Sequence, residues 1–373
     1  MLAAGNDIIA MLEELAPPQW ALSWDNSGLQ WGDPDLPVHA VLIALDFNEA
    51  ILDQALAQGV NFIFSHHPYL YKPLTGLDLR DQRAALLARA LREGVALYSA
   101  HTNLDVAPRG VNQALGELLG LEKMVVLHPT VREKLEKLVV FVPDGYADKV
   151  RDAIAEAGAG WIGNYSHCTF QLSGTGTFLP REGSNPFIGT QGLVEKVKEY
   201  RLETIMPVAV RDQVLQAMEH AHPYEEVAYD LYPLSMEGEA RGLGRVGELP
   251  GPITLQELAL QCRDLLQPCS LRMLGDSRMS VKRVAVLGGS GAAYLTEAAQ
   301  KGAQVFISGD ICYHDEQQAW DLGLALLDAG HAATERPVLP IVADFLTEKI
   351  KDRGYKTKVI VEREVLFPWT CFD

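Results

Sequence analysis

Residues 38–67 read VHAVLIALDFNEAILDQALAQGVNFIFSHH, and this stretch decides the fold. An apolar strand pattern comes first, a helical pattern follows it, and a second apolar strand ends at two adjacent histidines. A further helix at 81–94 and an apolar run at 95–100 continue the series. Alternating strands and helices of this kind predict a mostly parallel sheet with helical crossovers, which places the chain in the α/β class.

The same pattern returns later in the chain. Residues 281–310 read VKRVAVLGGSGAAYLTEAAQKGAQVFISGD and align with residues 38–67 without a gap. Gly59 then corresponds to Gly302, and the strand residues match in apolar character. Two copies are too few for a solenoid, so we predict two related α/β half-domains that face each other across a cleft.

A different segment separates the two related halves. Its predicted order, strand-helix-strand-strand-helix-strand, is that of the ferredoxin-like split motif. We therefore predict three parts, a first half at 1–130, an inserted domain at 131–238 and a second half at 239–373. The boundaries are expected near HPTVRE (128–133) and MEGEARG (236–242).

Composition restricts the partners and the location. The 373 residues carry a formal charge of −17, which argues against nucleic acid or an anionic membrane as the main partner. The five cysteines are scattered and include no C-x-x-C pair, so neither a disulfide framework nor a thiolate zinc site is indicated. Without a signal-like N-terminus or a long apolar run, the expectation is a soluble cytoplasmic protein.

Each half ends a strand with an imidazole followed four residues later by a carboxylate. The first half has His101 and Asp105 in SAHTNLD, and the second has His331 and Glu335 in DAGHAATE. Ligands of parallel sheets bind at the carboxyl ends of the strands, so these side chains are expected to converge with the histidine pair. The predicted metal ligands are His66, His67, Asp105, His331 and Glu335.

This ligand set predicts two divalent ions. Imidazoles and carboxylates suit Zn²⁺, Mn²⁺, Fe²⁺ or Co²⁺, and we expect zinc to be the ion seen in a crystal. Five side chains are too many for one catalytic ion that keeps an open position. Because successive side chains of a strand diverge, His66 and His67 are expected to bind different ions, bridged by a carboxylate.

Further polar residues follow the same strands. His101 and His314 are candidates for a catalytic base beside the metals, and each has the alternative of an ordinary surface histidine. Asp310 aligns with His67 and is a candidate for orienting an imidazole, with a helix cap as the alternative.

Two other motifs have competing interpretations. The glycine-rich GGSG (288–291) follows a strand and is either an anion cradle or a plain tight turn. HAHPYEE (220–226), in the insert, is either a second metal cluster or a helix end followed by a polar strand start.

Together, SHHP, AHTNLD, GGSG, SGDICYH and GHAATE resemble the NIF-three-like dinuclear-metal family, whose bacterial members are often labelled GTP cyclohydrolase I type 2 homologues. The resemblance implies the same five metal ligands, with Glu335 as the bridging carboxylate. It also implies a toroidal homohexamer with the metal sites facing an internal cavity. The insert, with GNYSHCTF, GTGTF and HPYEE, resembles the PII/CutA-like domain of the longer bacterial members.

Two functions from different classes follow. The first is a metal-dependent hydrolase that uses a metal-activated water, on GTP or on another nucleotide or phosphoester, with His101 or His314 moving the proton. The second is a non-catalytic, metal-dependent regulatory or scaffold assembly whose PII-like insert senses a ligand. No motif in the sequence indicates recognition of a guanine base.

Overall fold

The structure is a computed structural model that describes residues 1–362. The chain forms two compact units. The first contains Met1–Val131 and the described residues from Arg241 onward, and the second contains Arg132–Ala240. The strands belong to two mixed sheets, of five and eight strands.

The helices and strands are numbered in chain order. The α-helices are α1 (Gly5–Leu15), α2 (Glu49–Ala57), α3 (Gln82–Arg92), α4 (Thr102–Val106), α5 (Val111–Leu118), α6 (Ala147–Glu156), α7 (Arg211–Ala221), α8 (Leu255–Leu266), α9 (Leu295–Gln300), α10 (Tyr313–Asp321), α11 (His331–Glu335) and α12 (Val338–Asp352). The strands are β1 (Gly28–Trp31), β2 (Ala40–Ala44), β3 (Phe62–Ser65), β4 (Ala96–Ser99), β5 (Glu122–Pro143), β6 (Thr169–Phe178), β7 (Glu195–Pro207), β8 (Tyr229–Thr254), β9 (Arg272–Leu274), β10 (Ser280–Ser290), β11 (Val305–Gly309), β12 (Ala325–Asp328) and β13 (Lys358–Val361).

The five-stranded sheet of the first unit has the order β1-β4-β3-β2-β13. Strands β13, β2, β3 and β4 are parallel, and β1 pairs antiparallel with β4. Every residue of β2, β3 and β4 is buried. Strands covered on both faces read as continuous apolar runs, which is the pattern seen in the sequence.

The second half of this unit repeats the arrangement. Strands β10, β11 and β12 are parallel, and β9 pairs antiparallel with β12 as β1 does with β4. In both halves the third parallel strand leads into a five-residue helix, α4 or α11. The halves differ at the other edge, where β13 is parallel to β2 but β8 is antiparallel to β10.

Helices cover the first sheet on both faces. One apolar cluster contains Ile8 of α1 and Val342 of α12 together with Phe64 of β3. A second cluster contains Ile51 of α2 and residues of α3 with the opposite side chains of the same strands. The central strands of the sheet are therefore fixed between two helical layers.

The second unit has the element order β5-α6-β6-β7-α7-β8 and the strand order β6-β7-β5-β8. The pairings of β6 with β7 and of β7 with β5 are antiparallel. It has its own apolar core, which includes Leu138, Ile154, Leu202, Val214 and Met218.

The two segments in which the domain boundaries are expected contain the divisions between the units, at Val131/Arg132 and Ala240/Arg241, and both segments are strands. HPTVRE lies within β5, and MEGEARG lies within β8. Gly242, in the second segment, allows a close approach of two strands. A Cβ atom at Gly242 would lie 2.0 Å from the carbonyl oxygen of His128, so the two strands approach too closely for a side chain.

No helix within the described residues combines the length and the apolar run that crossing a bilayer requires. Among the described cysteines, Cys269 is disulfide-bonded. Cys168, Cys262 and Cys312 are free thiols.

Candidate metal centre

The histidine pair is held in place by the sheet. His66 and His67 directly follow β3, and their backbone N–H groups donate to the carbonyls of Ala44 and Leu45 at 3.1 and 3.0 Å. The parallel pairing with β2 thus continues past the end of β3. It fixes the direction of both imidazoles at the carboxyl edge of the sheet, as predicted for a ligand site of this fold.

The short helices α4 and α11 supply the other groups. His331 and Glu335 are the first and last residues of α11, and their Nε2 and Oε1 atoms are 3.1 Å apart. Asp105 lies on α4, which His101 precedes as the N-terminal flanking residue. A spacing of four residues puts the imidazole and the carboxylate on the same side of one helical turn.

The first group of donors consists of His67, His331 and Glu335. His67 Nε2 lies 3.1 Å from Glu335 Oε2 and 3.4 Å from His331 Nε2. Ligand atoms around one tetrahedral ion with bonds of about 2.1 Å are about 3.4 Å apart. The spacing therefore fits a single divalent ion held by these three side chains.

The second group surrounds His66. Its Nε2 atom lies 3.6 Å from both Asp105 Oδ1 and Glu335 Oε1, which is beyond hydrogen-bonding distance. His66 Nε2 and Asp105 Oδ1 are buried and have no hydrogen-bond partner. His101 brings a ring nitrogen to within 4.8 Å of those of His66 and His67. Buried ligand atoms that converge in this way without hydrogen-bond partners have the character of a second ion site.

Each imidazole has a hydrogen-bond acceptor at Nδ1, which leaves Nε2 directed into the cluster. Three of the acceptors are carboxylates, and the fourth is a backbone carbonyl. The Nδ1 pairs are His66 with Ala100 O at 2.9 Å, His67 with Asp46 at 2.8 Å, His101 with Asp25 at 2.8 Å and His331 with Asp310 at 2.6 Å. Such acceptors fix the tautomer in which Nε2 carries the lone pair for a metal.

Asp25 is the most strongly held of these acceptors. Its side chain is fully buried, and it accepts hydrogen bonds from His101 Nδ1, from the Thr102 backbone and hydroxyl groups, and from the Ser27 hydroxyl. Burial raises the pKa of Asp25, but the hydrogen bonds from His101 and Thr102 outweigh it and hold the pKa well below its ordinary value. Asp25 is therefore a carboxylate at neutral pH.

Coupling between imidazoles and carboxylates dominates the electrostatics of the cluster. Burial lowers the pKa of His67, but Asp46 and Glu335 outweigh it and raise that pKa to about 10. Burial is likewise outweighed at His331, where Glu335 and Asp310 raise the pKa to about 9. The pKa of Glu335 lies well below its ordinary value, because the surrounding imidazoles outweigh the effect of burial.

The pKa values of the two remaining members, His66 and Asp105, are set by the same balance of burial and charge, and the outcome of that balance differs between them. Burial lowers the pKa of His66, but the charge of Glu335 outweighs it, so the pKa is raised. The pKa of Asp105 is raised because burial outweighs the attraction of His66. The cluster thus holds protons that divalent ions would replace.

The glycine-rich motif serves the cluster as a tight turn. The backbone N–H groups of Gly288 and Gly289 donate to Asn112 Oδ1 and Thr334 Oγ1, at 3.0 and 2.9 Å, so they are not directed at a ligand. Gly289 has a φ of +71°, and a Cβ atom there would lie 2.4 Å from Glu335 Oε1. These contacts favour the tight-turn interpretation and explain why glycine stands beside Glu335.

Two sets of predicted residues lie outside the cluster. His314 is exposed on α10, where its ring contacts Tyr313 and its Nδ1 lies 3.2 Å from Gln317. In the HAHPYEE motif, His222 Nε2 donates to the Phe141 carbonyl, and Nδ1 accepts from the Tyr224 backbone. With both ring nitrogens in use, His222 has no lone pair left for a metal.

Asp25 and Asp46 are site residues that were not predicted from the sequence. Asp46 could have been identified from the sequence, because it lies just after β2 in the duplicated unit. Its position aligns with that of Gly289 in the second half. Asp25 had no comparable signal, since it lies in a loop that precedes β1. The proposed orienting role of Asp310 agrees with its 2.6 Å contact to His331.

The fold and the site define a class, an α/β protein of duplicated halves with a histidine-carboxylate cluster between its strand ends. The family model Duf34/NIF3 (NGG1p interacting factor 3) matches residues 3–365. The chain belongs to this family, which confirms the resemblance seen in its motifs.

Known relatives match over the whole length. A GTP cyclohydrolase 1 type 2 homolog of Halalkalibacterium halodurans is 42% identical over 369 residues, covering 99% of each chain. The protein of the same name from Bacillus subtilis is 42% identical over 366 residues, covering 98% of each. A crystal structure of a Bacillus cereus protein related to NIF3 aligns over 100% of both chains, with 41% identity and a TM-score of 0.93.

Proposed function

We propose that this chain binds two divalent metal ions and is a metal-dependent hydrolase of phosphoesters or nucleotides, with GTP among the candidate substrates. One observation carries the proposal, namely the convergence of unpartnered Nε2 and carboxylate oxygen atoms at the strand ends. The names of the relatives, GTP cyclohydrolase 1 type 2 homolog, support GTP as a substrate to test.

The donors divide between the two proposed ions. His67 and His331 would hold one ion, His66 and Asp105 would hold the other, and Glu335 would contribute to both, because its oxygens lie 3.1–3.6 Å from three imidazoles. The ligand set accepts Zn²⁺, Mn²⁺, Fe²⁺ or Co²⁺. When bound, two such ions supply an activated water and polarise the electrophilic centre.

The chain's own residues position and move protons around this centre. We assign proton transfer to His101, because the buried carboxylate of Asp25 holds its Nδ1 at 2.8 Å and the ring lies beside those of His66 and His67. Metal content distinguishes this role from that of a ligand. His101→Ala protein that keeps two ions but loses turnover supports the catalytic role, and protein that keeps one ion assigns His101 to the metal. His314, exposed on α10, belongs to neither group of candidate metal ligands.

Turnover by metal-loaded protein tests the proposal. We expect 4-nitrophenyl phosphate or GTP to be hydrolysed by the Mn²⁺- or Zn²⁺-loaded protein and not after chelation. His66→Ala and Glu335→Ala are expected to lose the activity and at least one ion per chain. His314→Ala is the matched control, because it removes an exposed histidine. Equal turnover by all three variants would contradict the proposal.

The regulatory or scaffold function remains a second candidate, supported by the second unit. Its strand-helix-strand-strand-helix-strand order and separate core fit the proposed PII/CutA-like insert. We propose a toroidal homohexamer in either case, on the basis of family resemblance. Native mass spectrometry of the metal-loaded chain would show six copies, and a monomer would contradict it. Two bound ions without exchangeable water, and no turnover, would favour the second candidate. The cytoplasmic location stays a prediction.

A further inference from the structure

A pocket of about 790 Å³ opens beside the metal centre within the first unit. His67 and Asp46, which both belong to the centre, form part of its lining. Their side chains are about a quarter and a third exposed. A volume of this size suits a small organic molecule, and His67, one of the proposed metal ligands, is part of the lining.

The floor of the pocket is aromatic and preformed. The rings of Phe47 and Tyr69 meet edge to face with centroids 5.2 Å apart. Trp31 contacts both rings, at 5.1 and 5.4 Å, and donates its indole N–H to the Val95 carbonyl. Three mutually packed rings hold the floor in one arrangement, which gives it the apolar surface that an organic ring or chain requires.

Two arginines of α3 line the pocket, and they differ in their partners. Arg89 is paired with Asp53 at 2.6 Å and with Glu49 at 3.6 Å. Arg83 lies over the Tyr69 ring, 4.7 Å from its centroid, and donates to the Tyr69 carbonyl. Within residues 1–362, no carboxylate forms an ion pair with Arg83.

We infer that this pocket receives the organic part of the substrate processed at the metal centre, and that Arg83 binds an anionic group on it, a carboxylate or a phosphate. The inference rests on the proposed function for the identity of the reacting end. A guanidinium without an acidic partner has donors available for an oxyanion, and its planar fork matches carboxylate and phosphate oxygens. Tyr69 holds Arg83 in place, so little side-chain entropy is lost on binding.

Matched ligands test the inference through binding alone. Phenyl phosphate carries one anionic end for the metals, whereas 4-carboxyphenyl phosphate and 4-(carboxymethyl)phenyl phosphate add a second one. We expect calorimetry on the Zn²⁺-loaded full-length protein to show at least one carboxylated ligand binding about tenfold or more tightly than phenyl phosphate, the effect of one charge-assisted hydrogen bond.

Substitutions then assign the gain to one residue. Arg83→Gln is expected to abolish the gain, so that in this variant the carboxylated ligands bind no more tightly than phenyl phosphate. Arg92→Gln is the control on the same helix, because Arg92 donates to the Ala88 carbonyl and does not line the pocket. Arg83 is exposed, and a thermal melt would verify that the variant folds.

The outcomes separate this inference from the proposed function. Absence of a gain in the unmodified protein, a gain that persists in Arg83→Gln, or no binding of any of the three ligands would overturn the inference. An Arg83-dependent gain without hydrolysis of any ligand or of GTP would leave the inference standing while the hydrolase proposal fails.

Discussion

Glu335 is the residue on which the centre depends. Its side chain is only 4% exposed, yet it lies within 3.1–3.6 Å of the ring nitrogens of His66, His67 and His331. One buried carboxylate facing three imidazoles is stable only if positive charge, as protons or as metal ions, is present around it. Proton and metal binding are therefore in competition at this residue.

This competition predicts a pH dependence for the metal-free protein. The pKa values of His67 and His331 are raised from 6.5 to about 10 and about 9, so folding favours their protonated forms. The resulting stabilisation is fully present below pH 6.5 and is lost as pH rises through 9 to 10. We expect the Tm of chelator-treated protein to fall between pH 7 and pH 9.5 for this reason.

Metal binding is expected to show the opposite trend. Affinity for Zn²⁺ or Mn²⁺ should increase over the same pH range, and each ion bound should release protons. Calorimetry in two buffers of different ionisation enthalpy measures the number released. Metal binding at pH 7 without proton release would contradict the assignment of these protonation states.

Gly289→Ala tests the close approach of the backbone to Glu335. The matched control is Gly59→Ala, because Gly59 has a similar φ of +67° but nothing within 4 Å of its Cβ position. Both variants bear the left-handed strain of about 1–2 kcal/mol. Only Gly289→Ala also displaces Glu335. For Gly289→Ala we therefore expect a larger loss of unfolding free energy than for Gly59→Ala, together with a tenfold or greater loss of metal affinity. Equal effects of the two variants would show that Glu335 is not constrained there.

At the scale of elements, α4 and α11 carry the repeated chemistry. Each is a single turn at the end of its half's third parallel strand, and each presents a carboxylate toward the cluster. Asn112 of α5 connects α4 to β10 of the second half. Its amide donates to the Asp105 carbonyl at 2.9 Å and accepts from the Gly288 backbone at 3.0 Å, so it joins the first half to the second.

Asn112→Ala is expected to destabilise the protein by about 2–4 kcal/mol, because two backbone groups lose their partner in the interior. Asn61→Ala is the control, since Asn61 also accepts one and donates one backbone hydrogen bond but is more exposed to water. For Asn61→Ala we expect a loss of unfolding free energy of less than about 1 kcal/mol. Chemical denaturation measures both, and equal losses would contradict a bridging role for Asn112.

The elements that could be predicted are those with a strong periodic signal. The strands β2, β3 and β4 and the helices between them follow from apolar runs and 3.6-residue periodicity. The edge strands β1, β9 and β13 are three or four residues long, and nothing local distinguishes them from loops. Partners far away in sequence stabilise them, and a local pattern does not contain that information.

The same distinction applies to the candidate site. The H-x-x-x-D and H-x-x-x-E spacings pointed to Asp105 and Glu335 because a single helical turn relates the paired residues. The hydrogen-bond acceptor of His101 could not be predicted, because only the tertiary fold brings Asp25 to that imidazole.

At the scale of the whole molecule, the two units provide an internal control for metal binding. The proposed ligands all lie in the first unit. A ligand stabilises the unit that binds it by mass action, so Zn²⁺ or Mn²⁺ should slow amide hydrogen exchange in α4, α11 and the end of β3. Exchange in α6 and α7 should stay unchanged. Equal slowing in both units, measured by mass spectrometry, would place metal binding elsewhere or couple the units.

The position of β13 has a consequence for synthesis on the ribosome. Strand β2 ends at Ala44, yet its parallel neighbour β13 is complete only at Val361. At a synthesis rate of about 5–20 residues per second, the outer edge of β2 stays unpaired for on the order of 15–60 s. An unpaired apolar edge that persists so long invites pairing with other chains. We therefore expect the nascent first sheet to need more protection from aggregation than the second unit, which is complete by Ala240 and can close on its own core much earlier.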